Sequence, residues 1–393
     1  MPWFAICALG LTQITAWGTG YYCLGVLAGP IAADLGWSRS FVYLGFTVAL
    51  VVMAIVSPWA GRMIDRHGGQ RIMTTGTVLV SAGMFLLSSV SGQAAYLATW
   101  ALLGFGLRLC LYDAAFASIV QVTPTHGRMA ISYLTLFGAF ASTVFWVLGH
   151  YLNEAMGWRQ TLLAFAAINL AVCLPLNWFG LAKREHGRAE AAPPPASHGK
   201  PLEGGARTIA MALFALVMSL NAFTFGVITV QMVQILEAAG LAAAAAVWMA
   251  SLKGFAQFGG RVVEIVFGRK LHPMTVARVA IGGLPVSLVI LLFANGSLAL
   301  ALLFTLLMGA SQGVISIVRG AVPLALFGPT GYGAVLGVLA TPIVLVNAAA
   351  PTLFSLVVDR WGWNVAEVVL LACASSACVG IELMNAWYRR QAR

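Results

Sequence analysis

The sequence predicts an all-α integral membrane protein with twelve transmembrane helices in two groups of six. Three observations predict it. Of 393 residues, 60% are hydrophobic and only 9% charged, where a soluble domain carries about 25% charged residues. Twelve apolar runs, each about 20 residues long and so able to span a bilayer, lie near 3–31, 40–60, 72–90, 96–119, 130–151, 160–181, 208–233, 244–267, 275–294, 297–325, 333–356 and 364–387. One polar stretch, 182–207, carries Lys183, Arg184, Glu185, Pro193, Pro194, Pro195, Gly204 and Gly205, the composition of a flexible linker. It divides the runs six and six, giving bundles 1–181 and 208–393.

Charge sets the orientation. With the N-terminus inside, the inner loops and tails hold Arg62, Arg66, Arg71, Arg128, Lys183, Arg184, Arg188, Lys200, Arg207, Arg269, Lys270, Arg278, Arg389, Arg390 and Arg393, and the outer loops only Arg39, Arg159 and Arg360. Cytoplasmic loops carry the excess of Lys and Arg, so both termini are expected in the cytoplasm. The net charge of +10 is then mostly topogenic and calls for no nucleic acid, although the inner surface would attract anionic lipid headgroups. Cys7, Cys23, Cys110, Cys173, Cys373 and Cys378 all fall within apolar runs without metal-like spacing and read as small apolar residues. The first run is too long for a cleaved signal peptide and lacks a basic flank, so it is kept as the first span.

Taken in order, the first span carries Gln13, Trp17 and Tyr21 at spacing four, on one helical face. That face either packs against a neighbour or lines a cavity. Between spans 2 and 3 stands a charged knot, Gly61-Arg62-Met63-Ile64-Asp65-Arg66-His67-Gly68-Gly69-Gln70-Arg71. The positive-inside rule explains its arginines but not its aspartate or glycine spacing. Span 4 contains Gly104 and Gly106, then Arg108 with Tyr112 four residues on and Asp113 beside it. Span 8 carries Lys253, Gln257 and Arg261 on one stripe, with Glu264 three further on. Gly268-Arg269-Lys270-Leu271-His272-Pro273 follows it as a degraded copy of the earlier knot that lacks the aspartate. Asn221, Gln312 and Asn347 are uncharged polar residues in spans 7, 10 and 11, able to orient a ligand or to bridge helices. Arg319 precedes Pro323 near the inner end of span 10 and reads as a structural or gate residue.

The pattern Gly61-x-x-x-Asp65-Arg66-x-Gly68-x-x-Arg71 resembles the loop between helices 2 and 3 of the major facilitator superfamily of secondary transporters. The six-plus-six layout is similar to that fold, whose substrate site lies near the midplane in a central cavity between the halves. The resemblance implies a gating role for Gly61, Asp65, Arg66, Gly68 and Arg71. More narrowly, Gly36-Trp37-Ser38-Arg39, the Gly104-x-Gly106 followed by Tyr112, and Gly260-Arg261 resemble bacterial monocarboxylate and oxalate/formate-type carriers. In those carriers the span-8 arginine holds the substrate carboxylate. Trp100 and Gln257 stand where relatives carry an arginine and an aspartate used in proton coupling.

Arg108, Lys253, Arg261 and Arg319 outnumber the deep acids Asp113 and Glu264. The excess predicts an electropositive site that a bound anion completes, because a guanidinium matches a carboxylate with two hydrogen bonds. The competing expectation is that Arg108 locks to Asp113 across a bend and Arg261 to Glu264. The expected function is therefore secondary transport of a small organic anion, most simply a monocarboxylate, across a bacterial inner membrane by alternating access. Substrate contacts are expected from Arg261, Lys253, Gln257, Arg108, Tyr112, Tyr21, Asn221 and Asn347, with Asp113 carrying a coupled proton. The alternatives are an exporter of drugs or amphipathic compounds, or an organic-anion exchanger. A receptor or assembly factor finds no sensor domain in the sequence. No enzyme, cofactor, metal or nucleic-acid motif is read, and a monomer is the family expectation.

Overall fold

The computed structural model describes residues 2–182 and 201–391; the central part of the expected linker lies outside them. Among the described residues every regular element is helical. The helices are α1 (Trp3–Ala16), α2 (Leu24–Leu35), α3 (Arg39–His67), α4 (Gly69–Ser88), α5 (Gln93–Cys110), α6 (Tyr112–Val122) and α7 (Gly127–Gly138). They continue with α8 (Ala141–Ile168), α9 (Leu174–Gly180), α10 (Gly204–Ala238), α11 (Ala243–Val266), α12 (Pro273–Leu292), α13 (Leu298–Phe327) and α14 (Tyr332–Gln391). π-turns at Trp17–Tyr21 and Asn169–Cys173 join α1 to α2 and α8 to α9.

Among the described residues, eight helical stretches are long and apolar enough to cross a membrane. Two of these, Pro124–Gly180 and Tyr332–Gln391, run 57 and 60 residues, well over twice the ~20 residues one crossing needs. Inside α8 and α14 one residue each leaves the helical backbone, Gly157 (φ 80°, ψ 166°) and Gly362 (φ 81°, ψ 172°). Only glycine adopts that backbone without cost, and a tryptophan follows in both places. The breaks therefore divide these stretches into the expected spans 5, 6, 11 and 12. The expected span 1 is interrupted by its π-turn, and span 8 is α11, whose Lys253, Gln257, Arg261 and Glu264 lower its hydropathy.

Local chemistry fixes the ends. Ser38 and Ser297 accept from the amides of Phe41 and Leu300 at the starts of α3 and α13, satisfying donors a helix N-terminus leaves open. Gly36 (φ 65°) closes α2 in the left-handed conformation.

The chain forms two compact units, one of Met1–Pro193 with Pro329–Thr341, the other of Pro194–Gly328 with Pro342–Arg393. In the first, α3 and α4 pack on α5. A Cβ on Gly104 would run into the Ala49 carbonyl oxygen, so close backbone approach needs glycine there. Interhelical hydrogen bonds add to this: Asn177 Nδ2 donates to Thr77 Oγ1 at 3.0 Å, and Asn169 Nδ2 to Thr19 Oγ1 at 2.9 Å. The second bond ties one π-turn to the other. In the second unit α11 and α12 pack on α13, with Gly260, Gly309 and Gly313 each set against facing backbone.

Candidate functional site

In the first unit several candidate residues gather where the fourth span breaks. Leu111 is extended (φ −80°, ψ −174°) between α5 and α6, so Arg108 and Tyr112 are not one helical turn apart, contrary to the expectation from their spacing. The break frees the Cys110 carbonyl, and Gln13 Nε2 donates to it at 2.8 Å. Arg108 Nη1 pairs with Asp113 Oδ2 across the break, both side chains buried. This is the lock that the sequence left as the competing expectation. A charge at the bilayer centre costs at least ~2.5–3.5 kcal/mol on insertion scales, and the pair offsets that cost from within the protein.

Around this break lies a half-buried aromatic surface. Trp17 contacts Tyr21 at 4.7 Å, Tyr112 at 5.0 Å and Tyr22 at 6.0 Å between ring centroids, and Tyr21 meets Phe46 edge-on at 4.8 Å. The π-turn packs three of these rings, Trp17, Tyr21 and Tyr22, together; such turns are frequent at functional sites. The Trp17 indole N–H and the Gln13 amide oxygen are buried and, among the described residues, have no hydrogen-bond partner, leaving one donor and one acceptor one turn apart beside the rings. Tyr21 and Tyr112 were expected in the site. Tyr22 and Phe46 were not, since nothing in their spacing marks them.

The charged loop also resolves within this unit. Asp65 accepts from the amides of Gly333 at 2.9 Å and Ala334 at 2.7 Å, the first turn of α14, where a negative charge meets the helix dipole. Gly61 is needed because a Cβ there would meet the Gly333 carbonyl oxygen. Gly68 (φ 82°) makes the turn into α4, while Arg66 and Arg71 are exposed. Gln121, not singled out in the sequence, clamps both sides of this turn: its Nε2 donates to Ile64 O at 2.9 Å, and its Oε1 accepts from Gly69 N at 3.2 Å. Its only sequence signal is a polar residue near the inner end of span 4.

In the second unit the stripe of α11 faces α13 and α10. Arg261 is buried, and its Nε donates to Ser316 Oγ at 3.2 Å and Gly313 O at 3.4 Å. Gln257 Nε2 donates to Gln312 Oε1 at 3.5 Å. Lys253 Nζ stands 5.7 Å from the Phe225 ring centroid. Asn221 is buried one turn before Phe225, and Asn347 lies against Gly226 on the same helix. Glu264 is buried toward the end of α11, against Gly268.

Two units of packed apolar helices, with stretches long and apolar enough to cross a bilayer, define a multi-pass membrane protein. The chain belongs to the Major Facilitator Superfamily, whose family model matches residues 11–294. It is similar to multidrug resistance protein MdtL of Citrobacter koseri, 27% identical over 175 residues, and to that of Shigella flexneri, 29% identical over 175 residues. Each match covers 44% of this chain and 44% of the relative, so it spans less than half the length of these curated proteins. Among solved structures, the human organic anion transporter MFSD10 (TETRAN) aligns with a TM-score of 0.76 at 16% identity over 97% of this chain and 99% of that one. The transporter FucP in the outward conformation aligns at 0.72 with 15% identity, over 96% and 98%. These likenesses show the fold. The narrower resemblance to monocarboxylate and oxalate/formate-type carriers is not what the two curated relatives carry; both are multidrug resistance proteins.

Proposed function

We propose that the protein is a secondary transporter that exports amphipathic, ring-bearing compounds across a bacterial inner membrane by alternating access, with both termini in the cytoplasm. The observation that carries this reading is the half-buried aromatic surface of Trp17, Tyr21, Tyr22, Phe46 and Tyr112, with the unpartnered Trp17 N–H and Gln13 oxygen beside it. Aromatic side chains bind planar apolar ligands by stacking, each favourable pair adding ~0.5–1.5 kcal/mol beyond burial. The name of the MdtL relatives supports it. The small-carboxylate reading has less to stand on: Arg261 Nε is already engaged by Gly313 and Ser316, and Asp113 by Arg108.

The test is uptake of a fluorescent amphipathic dye into inside-out vesicles containing the protein. Dye should accumulate, Trp17→Ala should reduce apparent affinity by about tenfold, and Arg261→Ala should still transport dye if it folds. Movement of small carboxylates alone, abolished in Arg261→Ala, would restore the carboxylate assignment and remove this one.

A further inference from the structure

The stripe on α11 contains a cation that the fold does not neutralise. Lys253 lies near the middle of that helix, ~15 Å from its start and ~20 Å from its end at 1.5 Å per residue, too deep to reach the headgroups comfortably. Among the described residues it makes no ion pair; its ammonium lies over the face of Phe225. Arg108, by contrast, pairs with an acid, and Arg261 bonds to a hydroxyl and a carbonyl oxygen. Lys253, Gln257 and Phe225 are only half-buried, so this face of the second unit is open to a ligand.

Donors converge from the neighbouring helix. The Gln257 amide N–H is directed to Gln312 Oε1, which orients the Gln312 carboxamide and leaves its Nε2 buried with no partner among the described residues. A buried donor without a partner costs stability and is rare in native proteins. On the opposite side, Asn221 Oδ1 is likewise buried and unpartnered, one turn from Phe225. The nearest acid on α11, Glu264, is three turns further along.

We infer that Lys253, with the Gln312 amide oriented by Gln257, forms a subsite for the acidic group, a carboxylate or sulfonate, of an amphipathic compound. The ammonium supplies charge, the Gln312 N–H a second hydrogen bond, the Phe225 ring a flat apolar wall, and Asn221 an acceptor for a neighbouring hydroxyl or N–H. Such charge-assisted bonds are about twice as strong as neutral ones. This inference rests on the reading that the protein moves amphipathic compounds, and adds the charge they carry.

The experiment compares two probes sharing one ring system, anilinonaphthalene sulfonate and its uncharged parent phenylnaphthylamine. Their binding is measured to the full-length protein in nanodiscs of zwitterionic lipid, with empty nanodiscs subtracted. The wild type should bind the sulfonate about tenfold more tightly than the parent. Lys253→Gln should bring the two within about twofold without changing the parent, and Lys253→Arg should keep the preference. Gln312→Leu should weaken the sulfonate alone, by about threefold, and provides an independent reading if Lys253→Gln does not fold. Equal binding of both probes to the wild type, or an unchanged ratio in Lys253→Gln, overturns the subsite and leaves the amphipath reading standing. Binding of neither probe overturns both. Loss of the sulfonate preference in nanodiscs of anionic lipid assigns the site to a lipid headgroup and overturns it as a solute site.

Discussion

Replacing Asp65 with asparagine tests how the charged loop works. The carboxylate accepts from two successive amides, at 2.9 and 2.7 Å, in the first turn of α14. Asparagine keeps one acceptor of similar shape and loses the second bond and the charge. A hydrogen bond to a charged group contributes ~1.5–3 kcal/mol, against ~1 for a neutral one. Charge at a helix N-terminus contributes a further ~0.3–1 kcal/mol. The half-exposed position of Asp65 places the sum at the low end, ~1.5–2.5 kcal/mol. Since ~1.4 kcal/mol is tenfold in an equilibrium, the amides of Gly333 and Ala334 should open ~10–60 times more often. Hydrogen exchange of the 329–341 segment reads this directly, and Arg66→Gln, altering an exposed neighbour, serves as the control. Unchanged exchange in Asp65→Asn would refute the clasp, as would an equal change in Arg66→Gln.

Asp113→Asn removes the carboxylate from the buried pair with Arg108. Breaking such a pair costs ~3–5 kcal/mol, so expression and melting temperature should collapse, while the double variant Arg108→Leu with Asp113→Leu should recover most of the loss. Retained stability with an altered pH dependence of transport would instead make Asp113 a proton carrier. Gly313→Ala places a Cβ against the Gln257 carbonyl oxygen and should destabilise by ~1–3 kcal/mol through overpacking. Gly254→Ala on the facing helix has open space and should be neutral or stabilising by up to ~1 kcal/mol; thermal melts separate the two. Gln121→Ala severs both bonds across the turn at Gly68, so exchange at Gly69 should rise about tenfold.

The sequence by itself determined that this chain lives in a membrane and where its apolar spans lie, but not the interruptions at Trp17–Tyr21 and Leu111. Hydropathy, caps and glycine breaks act within a few residues, and the bilayer leaves the backbone no alternative to hydrogen-bonded helix. The superfamily was legible too, because Gly61, Asp65 and Gly68 must recur together for one tight turn and one close approach. The partners were not legible. A spacing of four places Arg108 and Tyr112 on one face only while the helix is continuous, and the break at Leu111 turned Arg108 to Asp113 instead. The excess of deep cations was countable from composition. Which of them is already held depended on long-range contacts: Gly313 and Ser316 reach Arg261, the Phe225 ring reaches Lys253, and Gly333 and Ala334 reach Asp65. Those pairings join residues tens to hundreds of positions apart, and only tertiary packing chooses among the many that periodicity would allow.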